Sequence, residues 1–82
     1  MAEVRVLFFA SLREALPVAE LSWPLMAATT LGELRTALRA QGEDWAALDS
    51  TLMMAVNQTL VQPEARVQPG DEVAFFPPVT GG

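Results

Sequence analysis

The stretch Glu72-Val73-Ala74-Phe75-Phe76-Pro77-Pro78-Val79-Thr80-Gly81-Gly82 decides how this chain is read. Its first five residues alternate, with Val73 and Phe75 on one side and Glu72, Ala74 and Phe76 on the other. That is the pattern of a strand buried on one face. Pro77 and Pro78 have no N–H to donate and a fixed φ, so the strand stops and the chain continues extended and stiff. Gly81 and Gly82 carry no Cβ, which makes the tip as slender as a polypeptide can be. The six residues after Phe76 span about 20 Å when fully extended, at ~3.3–3.6 Å each, enough to thread a narrow channel in another protein. A Gly-Gly end alone is equally the mark of a frayed terminus. The rest of the composition separates the two readings.

The sequence contains no His, Cys, Tyr or Lys, and all five of its cations are arginines. The usual general base, thiolate nucleophile, Schiff-base amine and metal-binding imidazole are therefore missing. Zinc and other soft-metal sites are not expected, and no resident metal is. Ser, Thr, Asp and Glu remain without an evident activating partner, which argues against a self-contained active site. If this protein takes part in a reaction, the reactive group is its own terminal carboxylate at Gly82. Ten acidic residues against five basic ones give a net charge of −5. Neither nucleic acid nor an anionic membrane is an expected partner for that balance, whereas a basic protein surface is. No apolar run approaches the ~20 residues of a membrane span. A cysteine-free chain without a signal-like start points to the cytoplasm.

Eighty-two residues make one small domain with a modest core. Glu3 to Phe9 reads as a first strand, with Val4, Val6 and Phe8 facing the core and Leu7 and Phe9 facing out. Ala10 to Leu16 reads as a short helical turn stopped by Pro17. Val18 to Trp23 reads as a second strand, antiparallel to the first and ended by Pro24. Thr30-Leu31-Gly32-Glu33 has the spacing of a reciprocal N-terminal cap, in which Glu33 reaches back to Thr30. Leu31, Leu34, Ala37 and Leu38 follow on one stripe, and Gly42 falls where a C-terminal cap is expected. Glu43 to Leu48 adds a helical turn in which Trp45 and Leu48 close the edge of the core. Leu52 to Asn57 is a third strand, Asn57-Gln58-Thr59 a turn, and Leu60-Val61 a short edge strand before Pro63. Pro69-Gly70-Asp71 turns the chain into the last strand.

The order β-β-α-β-β gives an α+β domain: a mixed sheet of four to five strands with one main helix on one face. It resembles the β-grasp, or ubiquitin-like, fold. That resemblance implies that the first and last strands lie parallel at the sheet centre. The expected domain covers residues 1–76, and residues 77–82 form an extended tail. On the face without the helix, Leu7, Phe9, Met53, Ala55, Ala74 and Phe76 form an apolar patch at the root of the tail. Either a partner covers it, or the segment 24–29 or the short helical turn 43–48 folds over it. Phe76 is the leading candidate for an interface anchor, with Phe9, Leu7 and Leu60 beside it.

Three stretches carry a more specific resemblance: Val6-Leu7-Phe8-Phe9-Ala10 with Arg13-Glu14, Ala55-Val56-Asn57-Gln58-Thr59-Leu60-Val61, and Gly70 through Gly82. Together they resemble the small, sulfur-carrier subunits of molybdopterin synthase, over essentially the whole chain. The Gly-Gly end alone is shared with thiamin-pathway sulfur carriers and ubiquitin-like modifiers, which are the alternative readings. The resemblance implies that a ubiquitin-activating-type adenylyltransferase uses ATP and Mg²⁺ to adenylate Gly82. A sulfur donor then converts it to a thiocarboxylate, with no cofactor bound to the chain itself. It further implies that Val79, Thr80, Gly81 and Gly82 insert into a large catalytic subunit, in a heterotetramer. There the sulfur passes to cyclic pyranopterin monophosphate to build the molybdopterin dithiolene. On that reading the chain is the sulfur-donating, non-catalytic partner of a sulfurtransferase.

Overall fold

The computed structural model describes residues 2–49 and 51–78. Five strands form one sheet: β1 (Glu3–Phe8), β2 (Glu20–Pro24), β4 (Met53–Val56), β5 (Thr59–Val61) and β7 (Glu72–Phe76), in the order β2-β1-β7-β4-β5. A two-stranded piece pairs β3 (Thr29–Thr30) with β6 (Arg66–Val67). The helices are α1 (Ala10–Ala15) and α2 (Leu31–Arg39), and a 3-10 turn covers Glu43–Trp45. β1 and β7 run parallel at the centre, with Val6 opposite Val73 and Phe8 opposite Phe75. β2 and β4 flank them antiparallel. The arrangement is a β-grasp: a mixed sheet with one main helix against one face.

The core is the set of alternating residues that the strands turn toward α2. Val4, Val6 and Phe8 from β1 and Val73 and Phe75 from β7 are buried, with Met54 from β4. Leu31, Leu34 and Leu38 of α2 meet them, and Leu12, Leu16, Leu48 and Val67 close the perimeter. Phe8 stacks on Phe75 with ring centroids 6.1 Å apart and receives the edge of Trp45 at 6.0 Å. Such pairs contribute about 0.5–1.5 kcal/mol beyond their buried area.

Local chemistry sets the boundaries. Asn57 and Gln58 both take positive φ, 49° and 70°, which makes the tight two-residue hairpin between β4 and β5. Gly70 has φ 95°, so the turn before β7 requires a residue without a Cβ. Pro24 closes β2 on the sheet's edge, opposite Glu3, where its missing N–H leaves no ladder bond unmade.

Several expectations are corrected. The Thr30 hydroxyl accepts the Glu33 N–H at 3.2 Å, but the Glu33 carboxylate accepts from the Thr29 hydroxyl at 3.1 Å rather than reaching back to Thr30. The Thr30 backbone is committed to the β3–β6 pair, a pair the sequence reading did not contain. Ala37 is exposed, because three leucines suffice to fill the stripe. Gly42 does not cap α2: the helix ends through Ala40, and Gly42 precedes the 3-10 turn instead. Val18 lies outside β2, and Phe9 lies just past β1, although its N–H still donates to the Phe75 carbonyl at 3.1 Å.

The cap is open to test. Thr30→Ala should cost about 1 kcal/mol in urea unfolding, whereas Thr29→Ala, which loses only an exposed hydroxyl contact, should cost less.

Candidate functional site

The face of the sheet opposite α2 is divided. Its outer strand and the start of its centre are polar. Arg5 donates from Nε and Nη2 to one oxygen of Glu20, at 3.1 and 2.7 Å. These bonds, then the Glu20 charge, hold the Arg5 guanidinium above its ordinary pKa. Both side chains are exposed, so the pair adds little stability and acts mainly to keep charge at this edge.

The other half is apolar. Register places Ala74 between Leu7 on β1 and Ala55 on β4, and Ala55 lies opposite Leu60 on β5. Met53 lies opposite Phe76. The two small alanines form a floor, and Leu7, Phe9, Met53, Leu60 and Phe76 rise around it. The result is a groove of about 580 Å³. Phe9 is 48% exposed and Leu60 60%, so among the described residues nothing closes over it. The segments 24–29 and 43–48 are engaged elsewhere: Leu25, Trp45 and Ala47 pack against the core, and Thr29 pairs with Val67 of β6. A shallow depression of about 660 Å³ also lies along α2 and Pro63, on the helix side and remote from the root of the tail.

The groove ends where β7 ends. Phe76 lines it, and Pro77 and Pro78 follow directly. Phe76, Phe9, Leu7 and Leu60 are thus brought together on one surface. Val79, Thr80, Gly81 and Gly82 lie outside the described residues. Two polar residues at the groove's far end, Gln58 and Glu72, escaped the sequence reading as part of this site. So did Asn57 as its brace. The Asn57 N–H donates to the Glu72 carbonyl at 2.7 Å, its Oδ1 accepts the Glu72 N–H at 3.0 Å, and its Nδ2 donates to Asp71 at 3.2 Å. The hairpin tip is thereby tied to the start of β7. The Asn-Gln turn signal pointed at the hairpin but not at what its side chain would hold.

Fold and groove together define a β-grasp domain with an open apolar sheet face at the exit of its central strand. Residues 6–82 match the ThiS family, and the chain belongs to that family. It is 46% identical over 81 residues to the molybdopterin synthase sulfur carrier subunit of Escherichia coli (strain K12), covering 96% of this chain and 99% of that one. Among solved structures, it superposes with a TM-score of 0.79 on the small archaeal modifier protein 1 of Haloferax volcanii, at 22% identity, covering 96% of this chain and all of the other. With a TM-score of 0.66 and 26% identity it matches a chain in the complex of subunits 1 and 2 of molybdopterin-converting factor from Helicobacter pylori, covering 98% of this chain and 99% of that one. Among the described residues, no helix is long and apolar enough to cross a membrane.

The two faces respond differently to the same change. Leu60→Ser should shift unfolding free energy by no more than ~0.5 kcal/mol, since the side chain is already in water. Phe75→Ser, on the buried face, should cost ~3–5 kcal/mol or prevent folding. Urea titration of both variants checks the assignment of faces.

Proposed function

We propose that this chain is the sulfur-carrier subunit of a molybdopterin synthase and that its reactive group is the carboxylate of Gly82. The observation that carries this reading is the joint at Phe76. The central strand ends beside an open apolar groove and continues directly into Pro77 and Pro78. The near full-length relatedness to a protein bearing that description supports it.

A carboxylate is a poor acyl donor, so the reaction needs activation first. An adenylyltransferase of the ubiquitin-activating type, with its own ATP and Mg²⁺, joins the Gly82 carboxylate to AMP and releases pyrophosphate. A sulfur donor then attacks the carbonyl carbon. With hydrosulfide as the donor, the C–S bond forms, AMP leaves with the electron pair and oxygen of the broken C–O bond, the sulfur loses its proton to water, and a thiocarboxylate remains. The folded body, residues 1–76, acts as the handle, and residues 77–82 act as the probe. The groove seats the body on the large catalytic subunit, with Phe76 as its anchor at the root of the tail. Val79 to Gly82 reach into that subunit's active site and deliver sulfur to cyclic pyranopterin monophosphate. The glycines suit this step because any Cβ would widen the tip. The assembly is a heterotetramer of two small subunits on a dimer of large ones. A cytoplasmic setting suits a chain without cysteines.

Intact-mass measurement after incubation with the activating enzyme, ATP and a sulfide source should show one oxygen replaced by sulfur. A chain lacking Gly81 and Gly82 should fold with unchanged stability and show no such gain. An unmodified full-length chain under conditions that activate a known carrier would overturn the proposal. With the fold intact, Phe76→Glu should weaken binding to the large subunit by roughly 2 kcal/mol or more, as measured by calorimetry. Conversion of the pterin precursor by the matching large subunit separates this pathway from other sulfur-carrier pathways.

A further inference from the structure

The cations of this chain have a property that the proposed function does not use. All five are arginines, and no lysine occurs anywhere in the sequence. Two of them make defined contacts in the fold. Arg5 pairs with Glu20, and Arg35 donates from Nη1 to the Leu48 carbonyl at 3.1 Å, tying the segment after α2 to the helix. A guanidinium fills these roles while staying protonated, so it is no nucleophile at neutral pH. A lysine ammonium gives up its proton far more readily and then attacks acyl groups.

The topology points the same way. Because β1 and β7 are parallel, the start of β1 lies at the sheet end where β7 begins, and β7 delivers Pro77 at the opposite end. The Gly70 N–H donates to the Glu3 carbonyl at 2.8 Å, which fixes the start of β1 beside the turn that precedes β7. The two ends of the sheet are separated by the length of β7, five residues or roughly 16 Å at ~3.3 Å each.

We infer that this chain is a one-way acyl donor: it is activated at Gly82 but offers no side-chain amine to accept its own activated terminus or that of a second copy. The inference rests on the adenylation reading above. The side reaction it prevents is defined. A neutral lysine Nζ would attack the carbonyl carbon of the acyl-adenylate and form a C–N bond. AMP would leave with the electron pair of the broken C–O bond, and the nitrogen would lose a proton to water. Within one molecule the product is a lactam, lighter than the chain by one water. Between copies it is an isopeptide-linked dimer. Either product removes the terminus from sulfur transfer permanently. With no lysine, no side-chain amine competes with the sulfur donor for the adenylate.

Two single substitutions test this. Arg13→Lys keeps the charge and lies on α1, which starts at the sheet end where β7 delivers the tail. Gln68→Lys lies in the turn at the opposite end. Both side chains are exposed, so neither change disturbs the core. Each protein is incubated with the activating enzyme, ATP and Mg²⁺, without a sulfur donor, and intact masses are read. A parallel sample contains hydroxylamine, which traps the adenylate as the hydroxamate. The unsubstituted chain, whose one amine is at its N-terminus, should give the hydroxamate and sets the baseline for lactam and dimer. Arg13→Lys should give at least about tenfold more lactam than Gln68→Lys, because its amine has the higher effective concentration at the terminus. If all three proteins form the hydroxamate and Arg13→Lys yields no more lactam or dimer than the unsubstituted chain, the inference is wrong and adenylation stands. If the unsubstituted chain forms no hydroxamate, the adenylation reading falls and takes the inference with it.

Discussion

The parallel pairing of β1 with β7 is the constraint on which the rest of the molecule depends. Parallel neighbours cannot be joined by a tight turn, so everything between Phe8 and Glu72 is a long excursion that must return beside its start. That excursion supplies α2, the covering helix, and β4, the other neighbour of β7. It also fixes the central position of β7, which has a bonded strand on each side. A strand in that position cannot fray from an edge. Whatever follows Phe76 therefore leaves from the best-held part of the backbone.

A single helix covers a single face, and this fact produces the groove. Val73 and Phe75 go under α2, and Ala74 and Phe76 are left on the open side by the two-residue period of the strand. A one-residue slip in register would exchange the two sets and expose the Phe8–Phe75 stack. The fold and the open surface are thus specified by the same alternation. Large side chains surround small ones on the open side because Ala55 and Ala74 face each other across the β4–β7 pair. An apolar floor of small residues makes a depression where two larger side chains would have made a ridge.

Much of this could be read from the residues. The faces of β1 and β7 follow from strict alternation, and α2 from three leucines behind a threonine cap. What could not be read had short or shared signals. Thr29-Thr30 and Arg66-Val67 are two-residue strands, too short for a period, and their pairing joins positions more than 35 residues apart. Gly42 reads as a cap for the nearer helix, because a glycine signals an unusual φ without saying which element needs it. Its φ of 149° serves the entry to the 3-10 turn. Asn57 was legible as a turn residue, but its bonds to Glu72 and Asp71 depend on β4 lying beside β7, which no local pattern states. The interface candidates emerged because they share one face, and their convergence on one groove required the strand order.

On the proposed reading, a folded body with a terminal reactive group accords with the inventory of side chains. A sequence without His, Cys or Lys lacks the usual side-chain base, thiolate and amine nucleophiles. Ordering a chain end is costly, because each ordered backbone residue loses about 1–2 kcal/mol of conformational entropy. The double proline lowers that cost in advance by restricting φ at the two residues nearest the body. The central strand fixes their point of departure, and the groove beside it supplies apolar area to offset what remains. Each of these devices acts at or next to Phe76, so the double proline, the end of the central strand and the groove meet at one point of the fold.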